Sequence, residues 1–116
     1  MDAAVNSDKD LHSDKIGRWA DAVAPKRNDW ISRNWYFYEQ DYQYLRYLIP
    51  KGSTVLVLGC GTGKLIAELK PTAAVGIDIS SDMIALAKAD HPDFEFIQAD
   101  LQDPETLAGL TGVFDY

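Results

Sequence analysis

Apolar residues follow two different rhythms along this chain. Before residue 50 they recur at helical spacing. Ile16, Trp19, Ala20 and Val23 share one face of a short amphipathic helix expected over Leu11–Ala24 and ended by Pro25, whose ring disfavours helical backbone in the residue before it. Residues 1–10 are small and polar and read as disordered. Lys26 to Asn34 is polar apart from Trp30 and Ile31 and reads as a loop or a turn of helix. From Trp35 to Ile49 a second helix is expected. Tyr38, Tyr42, Leu45 and Ile49 recur at i, i+4, i+7 and i+11, and Phe37, Tyr44 and Leu48 widen the apolar face. Its aromatics are expected to face the core or cover a sheet, and Pro50 and Gly52 stop it.

Beyond residue 53 the rhythm changes to short apolar runs separated by helical stretches. Thr54–Leu58 is β-branched and aliphatic throughout, the pattern of a parallel strand buried on both faces. A glycine-rich turn leads into a helix over roughly 63–69, closed by Pro71. Ala73–Ile77 reads as a second strand. Ser80 or Ser81 can cap the next helix, which carries Met83, Ile84, Leu86 and Ala87 and ends near His91 and Pro92. Phe94–Ile97 reads as a third strand. Pro104–Leu110 reads as a third helix of this region, with Asp103 as its cap and Gly112 beyond it. Val113–Tyr116 reads as the opening of a fourth strand. The order βαβαβαβ predicts an α/β fold, a Rossmann-like parallel sheet with flanking helices, preceded by N-terminal helices.

Composition narrows the function classes. The 116 residues suit one domain, and 11 Lys+Arg against 18 Asp+Glu leave a net charge of −7. Residues 1–34 are neutral, with six acids and six bases, so residues 35–116 carry the whole −7. This shift divides the chain into an N-terminal extension (1–34), with a helix that could form a lid, and a second region (35–116). An acidic surface argues against nucleic-acid backbone binding. No apolar run approaches the roughly 20 residues of a membrane span, and the N-terminus lacks the pattern of a secretory signal, so a cytoplasmic location is expected. Cys60 is the only cysteine, which excludes an internal disulfide and a multi-cysteine zinc site.

The candidate chemistry lies at the strand ends. Gly59-Cys60-Gly61-Thr62-Gly63 joins the first strand to its helix. The first glycine permits the tight turn, the second lets the backbone approach a ligand, and the third lets helix and strand pack closely. A dinucleotide fingerprint, G-x-G-x-x-G/A, would need glycine or alanine where Lys64 stands. A Walker A loop would need glycine at Leu58 and a hydroxyl residue at Leu65. Both patterns fail, and G-x-G-x-G suits a ligand carrying a carboxylate and no pyrophosphate. Asp78, nineteen residues after Gly59 and ending the second strand, can accept from two ribose hydroxyls. Asp100 follows the third strand. All three features sit at strand carboxyl ends, where open α/β sheets bind ligands.

Val55–Gly63, Val75–Ile84 and Phe96–Asp100 resemble the first, second and third motifs of the class I S-adenosylmethionine-dependent methyltransferases, and Phe114–Tyr116 is similar to the opening of that family's fourth strand. The resemblance covers about residues 35–116. It implies that Gly59, Gly61 and Gly63 line the methionine moiety of S-adenosyl-L-methionine, with Cys60 contributing backbone. Asp78 would hold the ribose hydroxyls, and Ile79 and Met83 would flank the adenine. Asp100 would accept from the adenine amino group, with Ala99 and Leu101 beside it. Tyr38 is a further candidate for reaching the cofactor.

A complete domain of this family has seven strands, so the chain is expected to supply the cofactor-binding half of a larger unit. With an unpaired apolar edge on its fourth strand, it is expected to bind cofactor weakly or to aggregate. No catalytic base is nominated. His91 reads as a residue at a helix end and His12 as incidental, and no metal site is expected. The methyl acceptor stays open. The alternative reading is a non-catalytic α/β module for ligand sensing or protein association.

Overall fold

A computed structural model describes the backbone of residues 2–110 and 112–116, and the side chains from Leu11 onward except those of Leu107 and Thr111. In chain order, helices α1 (Asp2–Arg33) and α2 (Trp35–Leu48) precede strand β1 (Thr54–Leu58), helix α3 (Lys64–Leu69), strand β2 (Ala73–Asp78), helix α4 (Ser81–Asp90), strand β3 (Glu95–Gln98) and helix α5 (Pro104–Ala108). The strands form a parallel sheet in the order β1-β2-β3, with Leu56 opposite Val75 and Ile77 opposite Ile97. The expected Rossmann-like α/β architecture is present.

The core forms on one face of this sheet. Val55, Ala74 and Phe96, one from each strand, pack with Ile66 of α3 and with Ile84 and Ala87 of α4. Full burial of each large apolar side chain contributes about 1.5–3 kcal/mol. The opposite face is more open, and here the expectation for β1 needs correction. On that face Leu56 is only half-buried and Leu58 is 51% exposed, so the strand is not sealed on both faces.

The edge of β1 away from β2 is partly occupied. The Leu56 N–H donates to the Tyr116 carbonyl (3.0 Å) and the Tyr116 N–H donates to the Thr54 carbonyl (3.2 Å), the pattern of a parallel ladder. The Asp115 carboxylate also accepts from the Thr54 N–H at 3.0 Å. The segment expected to open a fourth strand thus begins pairing at the expected place, although it does not form a regular strand.

The N-terminal helices depart furthest from the pattern. α1 passes through Pro25 and through 26–33, where a stop and a loop were expected, and its backbone is helical from Asp2. Pro25 removes the N–H that would bond the Asp21 carbonyl and costs a free helix about 3 kcal/mol. Contacts on both sides of it hold α1 together: Asp21 reaches α4 before the proline, and Asn28 bonds Thr62 and Asp90 after it. Ala20, Ala24 and Ile31 are buried along the same helix. Asn34 then separates α1 from α2, its side-chain amide donating to the Trp30 carbonyl at 2.9 Å.

On α2 the broad apolar face contracts to a narrow seam. Tyr42 is buried, whereas Tyr36, Phe37 and Tyr44 are exposed rather than facing a core. α2 meets α3 and α1 but does not cover the sheet. Arg46 fastens it to α3, its guanidinium pairing with Glu39 and, at 3.0 Å, with Glu68.

Candidate functional site

The glycine loop is built on the end of β2. The Gly59 and Cys60 N–H groups both donate to the Ile77 carbonyl, at 2.7 and 3.0 Å. Gly59, Gly61 and Gly63 all have positive φ (76°, 54° and 82°), a region that side chains with a Cβ resist. Their surroundings separate their roles. A Cβ on Gly59 or Gly61 would meet nothing within 4 Å, so the loop leaves open space before it. A Cβ on Gly63 would stand 3.0 Å from both His91 and Phe96. Gly63 therefore serves the close packing of helix against strand and lies outside the cavity that Gly59 and Gly61 face.

Cys60 also turns inward. Its side chain belongs to the core and sits over Gly76, where an added Cβ would come within 2.9 Å of the sulfur. Burial, followed by the nearby Asp78 charge, pushes the thiol up to about 12, so it stays protonated and inert at neutral pH. Only its backbone belongs to the loop.

Asp78 ends β2 as a bracket between two turns. One carboxylate oxygen accepts from the Gly61 N–H at 2.9 Å and the other from the Ser80 N–H at 3.0 Å. Ser80 in turn caps α4, its hydroxyl accepting from the Met83 N–H at 3.1 Å. Beyond β3 the same economy recurs. The Ala99 N–H donates to the Asp78 carbonyl (2.9 Å), and the Asp100 carboxylate accepts from the Gln102 N–H (2.9 Å). Asp103 stands ahead of α5 and accepts from the Glu105 N–H at 3.0 Å.

These loops enclose a cavity of about 420 Å³, within the roughly 300–1,000 Å³ range of small-molecule sites. Gly59, Gly61, Asp78, Ile79, Met83, Ala99, Asp100 and Leu101, all singled out in the sequence, line it together. Gly63, Cys60 and Tyr38 do not. Tyr38 instead lies against Tyr42 and under the Arg27 guanidinium, 5.7 Å from its ring centre.

The other wall comes from the N-terminal extension, none of whose residues had been named as site residues. Helix α1 crosses the mouth of the strand ends, and Ile16, Trp19, Ala20, Val23 and Arg27 line the cavity from it. Asp21 accepts from the Ser80 hydroxyl and, at 3.1 Å, from the Asp82 N–H at the start of α4. Near the other end, the Thr62 hydroxyl bonds the Asn28 side-chain oxygen at 2.6 Å, tying α1 to the glycine loop. The signal available in the sequence was Gly17, Ala20 and Ala24, small residues at helical spacing that let a helix approach closely; a Cβ on Gly17 would lie 3.7 Å from Ile79.

Among the described residues, no group of three or more His, Cys, Asp or Glu gathers as a metal site, and no helix is long and apolar enough to cross a membrane.

The profile of a methyltransferase domain family matches residues 55–116, from the start of β1's apolar run through the last residue. The chain belongs to this methyltransferase domain family. Protein 235L of Invertebrate iridescent virus 6, which carries a methyltransferase name, is 35% identical over 79 residues, covering 59% of this chain and 30% of its own. YqeM of Bacillus subtilis, likewise named a methyltransferase, is 30% identical over 80 residues, covering 67% of this chain and 32% of its own. The chain thus spans about a third of the length of these relatives. Among solved structures, the complex of DhpI with S-adenosylhomocysteine superposes with a TM-score of 0.62 at 26% identity, over 72% of this chain and 43% of that one. Family and fold are those of the class I S-adenosylmethionine-dependent methyltransferases, as the three sequence motifs implied.

Proposed function

We propose that this chain is the cofactor-binding part of an S-adenosyl-L-methionine-dependent methyltransferase, with helix α1 (Asp2–Arg33) forming a lid over the site. One observation carries the reading: eight residues scattered over Gly59–Leu101 converge on a single cavity at the strand carboxyl ends. The residues fit the cofactor. Gly59 and Gly61 leave room for the amino-acid end against backbone N–H groups, and Asp78 supplies acceptors for the ribose hydroxyls. Ile79, Met83 and Leu101 form an apolar slot for the adenine, with Asp100 at its rim.

When bound, S-adenosylmethionine would supply an electrophilic methyl group on a sulfonium sulfur for transfer to an acceptor nucleophile. The chain's own contribution is placement. Asp78 ties the glycine loop to the start of α4, so the two ends of the cavity keep their spacing, and α1 lines the cavity from the other side. Fixing reacting groups in this way supplies much of the rate in a bimolecular transfer. The net charge of −7 favours a small-molecule acceptor over a nucleic-acid backbone, and a cytoplasmic location is consistent with the lone cysteine.

Titration calorimetry with S-adenosylmethionine, S-adenosylhomocysteine and NAD tests the reading. The first two should bind and NAD should not. Asp78→Ala should weaken both by about a hundredfold, because two hydrogen bonds to a charged acceptor are lost. Absence of binding at millimolar ligand would leave the non-catalytic module as the function.

A further inference from the structure

Outside the cofactor cavity, α1 carries a second concavity whose chemistry differs from the rest of the molecule. It measures about 390 Å³ and is lined by Trp19, Val23, Lys26, Arg27 and Trp30, all from one face of the helix. Trp19, Val23 and Arg27 also line the cofactor cavity, so the groove and the cavity share a wall. The two tryptophans are 68% and 57% exposed, unusual for the largest apolar side chains. Two cations and no carboxylate line the groove, in a chain whose net charge is −7. The nearest acid on this helix turn, Asp29, is engaged by Arg33 at 3.0 Å. Arg27 is steadied by the Tyr38 ring beneath it.

We propose that this groove is the acceptor subsite and that it takes an aromatic carboxylic acid, the ring stacking on Trp30, the carboxylate meeting Lys26 and Arg27 and the rest of the molecule reaching towards Trp19. This inference rests on the cofactor reading above and deepens it by naming the acceptor class. Exposed indole faces suit a planar ring. Paired cations suit one acidic group, and the three shared residues put a ligand in the groove next to the cofactor. Trp19 and Trp30 lie eleven residues apart, roughly 16 Å along a helix, which leaves room for an extended ring system or a ring with a side chain. A helix bearing tryptophans and basic residues also suits an anionic membrane surface, but a flat bilayer would not use the wall that the groove shares with the cavity.

The test is nuclear magnetic resonance on the nitrogen-15-labelled chain saturated with S-adenosylhomocysteine, following the three indole N–H signals during titration with 4-hydroxycinnamate, with its neutral amide, and with phosphatidylglycerol vesicles. The acid should shift the Trp19 and Trp30 signals and leave that of Trp35, which lies by Tyr42 and Lys64, unmoved. The amide should bind about a hundredfold more weakly, the worth of two charge-assisted contacts. Lys26→Gln should narrow that difference to about tenfold, and Trp30→Ala should weaken acid and amide together. Both residues lie outside the cofactor cavity, so S-adenosylhomocysteine affinity should not change in either variant. Equal binding of acid and amide, shifts that include Trp35, or a response to vesicles alone would overturn the proposal while the cofactor reading stands. Absence of S-adenosylhomocysteine binding would instead overturn the cofactor reading and, with it, the acceptor assignment.

Discussion

The cavity has two walls, and they are held by different means. On the sheet side, backbone N–H groups and positive φ angles set the glycine loop, and Asp78 locks it to the next turn. On the helical side, α1 is joined to the sheet by side chains: Asp21 to the start of α4, Asn28 to Thr62, and the buried Ala24 between them. Backbone geometry cannot be lost without unfolding the strand it belongs to. Side-chain contacts can open one at a time, each with a net contribution of about 1 kcal/mol. The sheet wall is therefore set by backbone geometry and the α1 wall by side chains, a difference that the proposed lid would exploit.

The largest expected effect comes from a change within the sheet wall. Gly63→Ala should destabilise the chain by about 3 kcal/mol, since the new Cβ meets His91 and Phe96 in a strained backbone. Gly59→Ala, with the same sign of φ but open space, should cost only about 1 kcal/mol. Urea unfolding measures both, and equal costs would remove the distinction drawn between the two glycines. Next in size is Asp21→Ala on the helical wall. It should cost about 1 kcal/mol, and amide hydrogen exchange should accelerate in α1 while the amides of β1 and β2 keep their protection. Loss of protection in the strands as well would show that the two walls open together.

The effect that vanishes at neutral pH is the pH response of Cys60. Its folded value is raised to about 12 from an ordinary 9.0, so the folded chain holds the thiol proton more tightly than the unfolded chain does. That contribution is fully present below pH 9 and declines as pH rises towards 12. Cys60→Ala should flatten the alkaline part of a stability–pH curve without altering it near neutrality.

The same division of the cavity explains what could be read in advance. Glycines at fixed offsets, an acid ending β2 and one following β3 leave local marks, because each is dictated by the turn it occupies. Thr54–Leu58 was legible as a strand for the same reason, although its burial was overstated. The contribution of α1 was hidden because it is tertiary. Pro25 reads locally as a terminator, and nothing within a few residues of it announces that Asp21 and Asn28 will find partners 59–62 residues away. Tyr36, Phe37 and Tyr44 misled in the opposite direction. Their spacing forms an apolar face, but α2 meets too little of the molecule to cover it.

Cys60 and Phe96 together fill the space that a side chain at Gly76 would need, each within 2.9 Å of where its Cβ would stand. A residue on the β1 loop and one in the middle of β2 are thus bound by a shared size limit. In a set of relatives the two positions should exchange bulk, with a side chain appearing at position 76 only where position 60 has given it up.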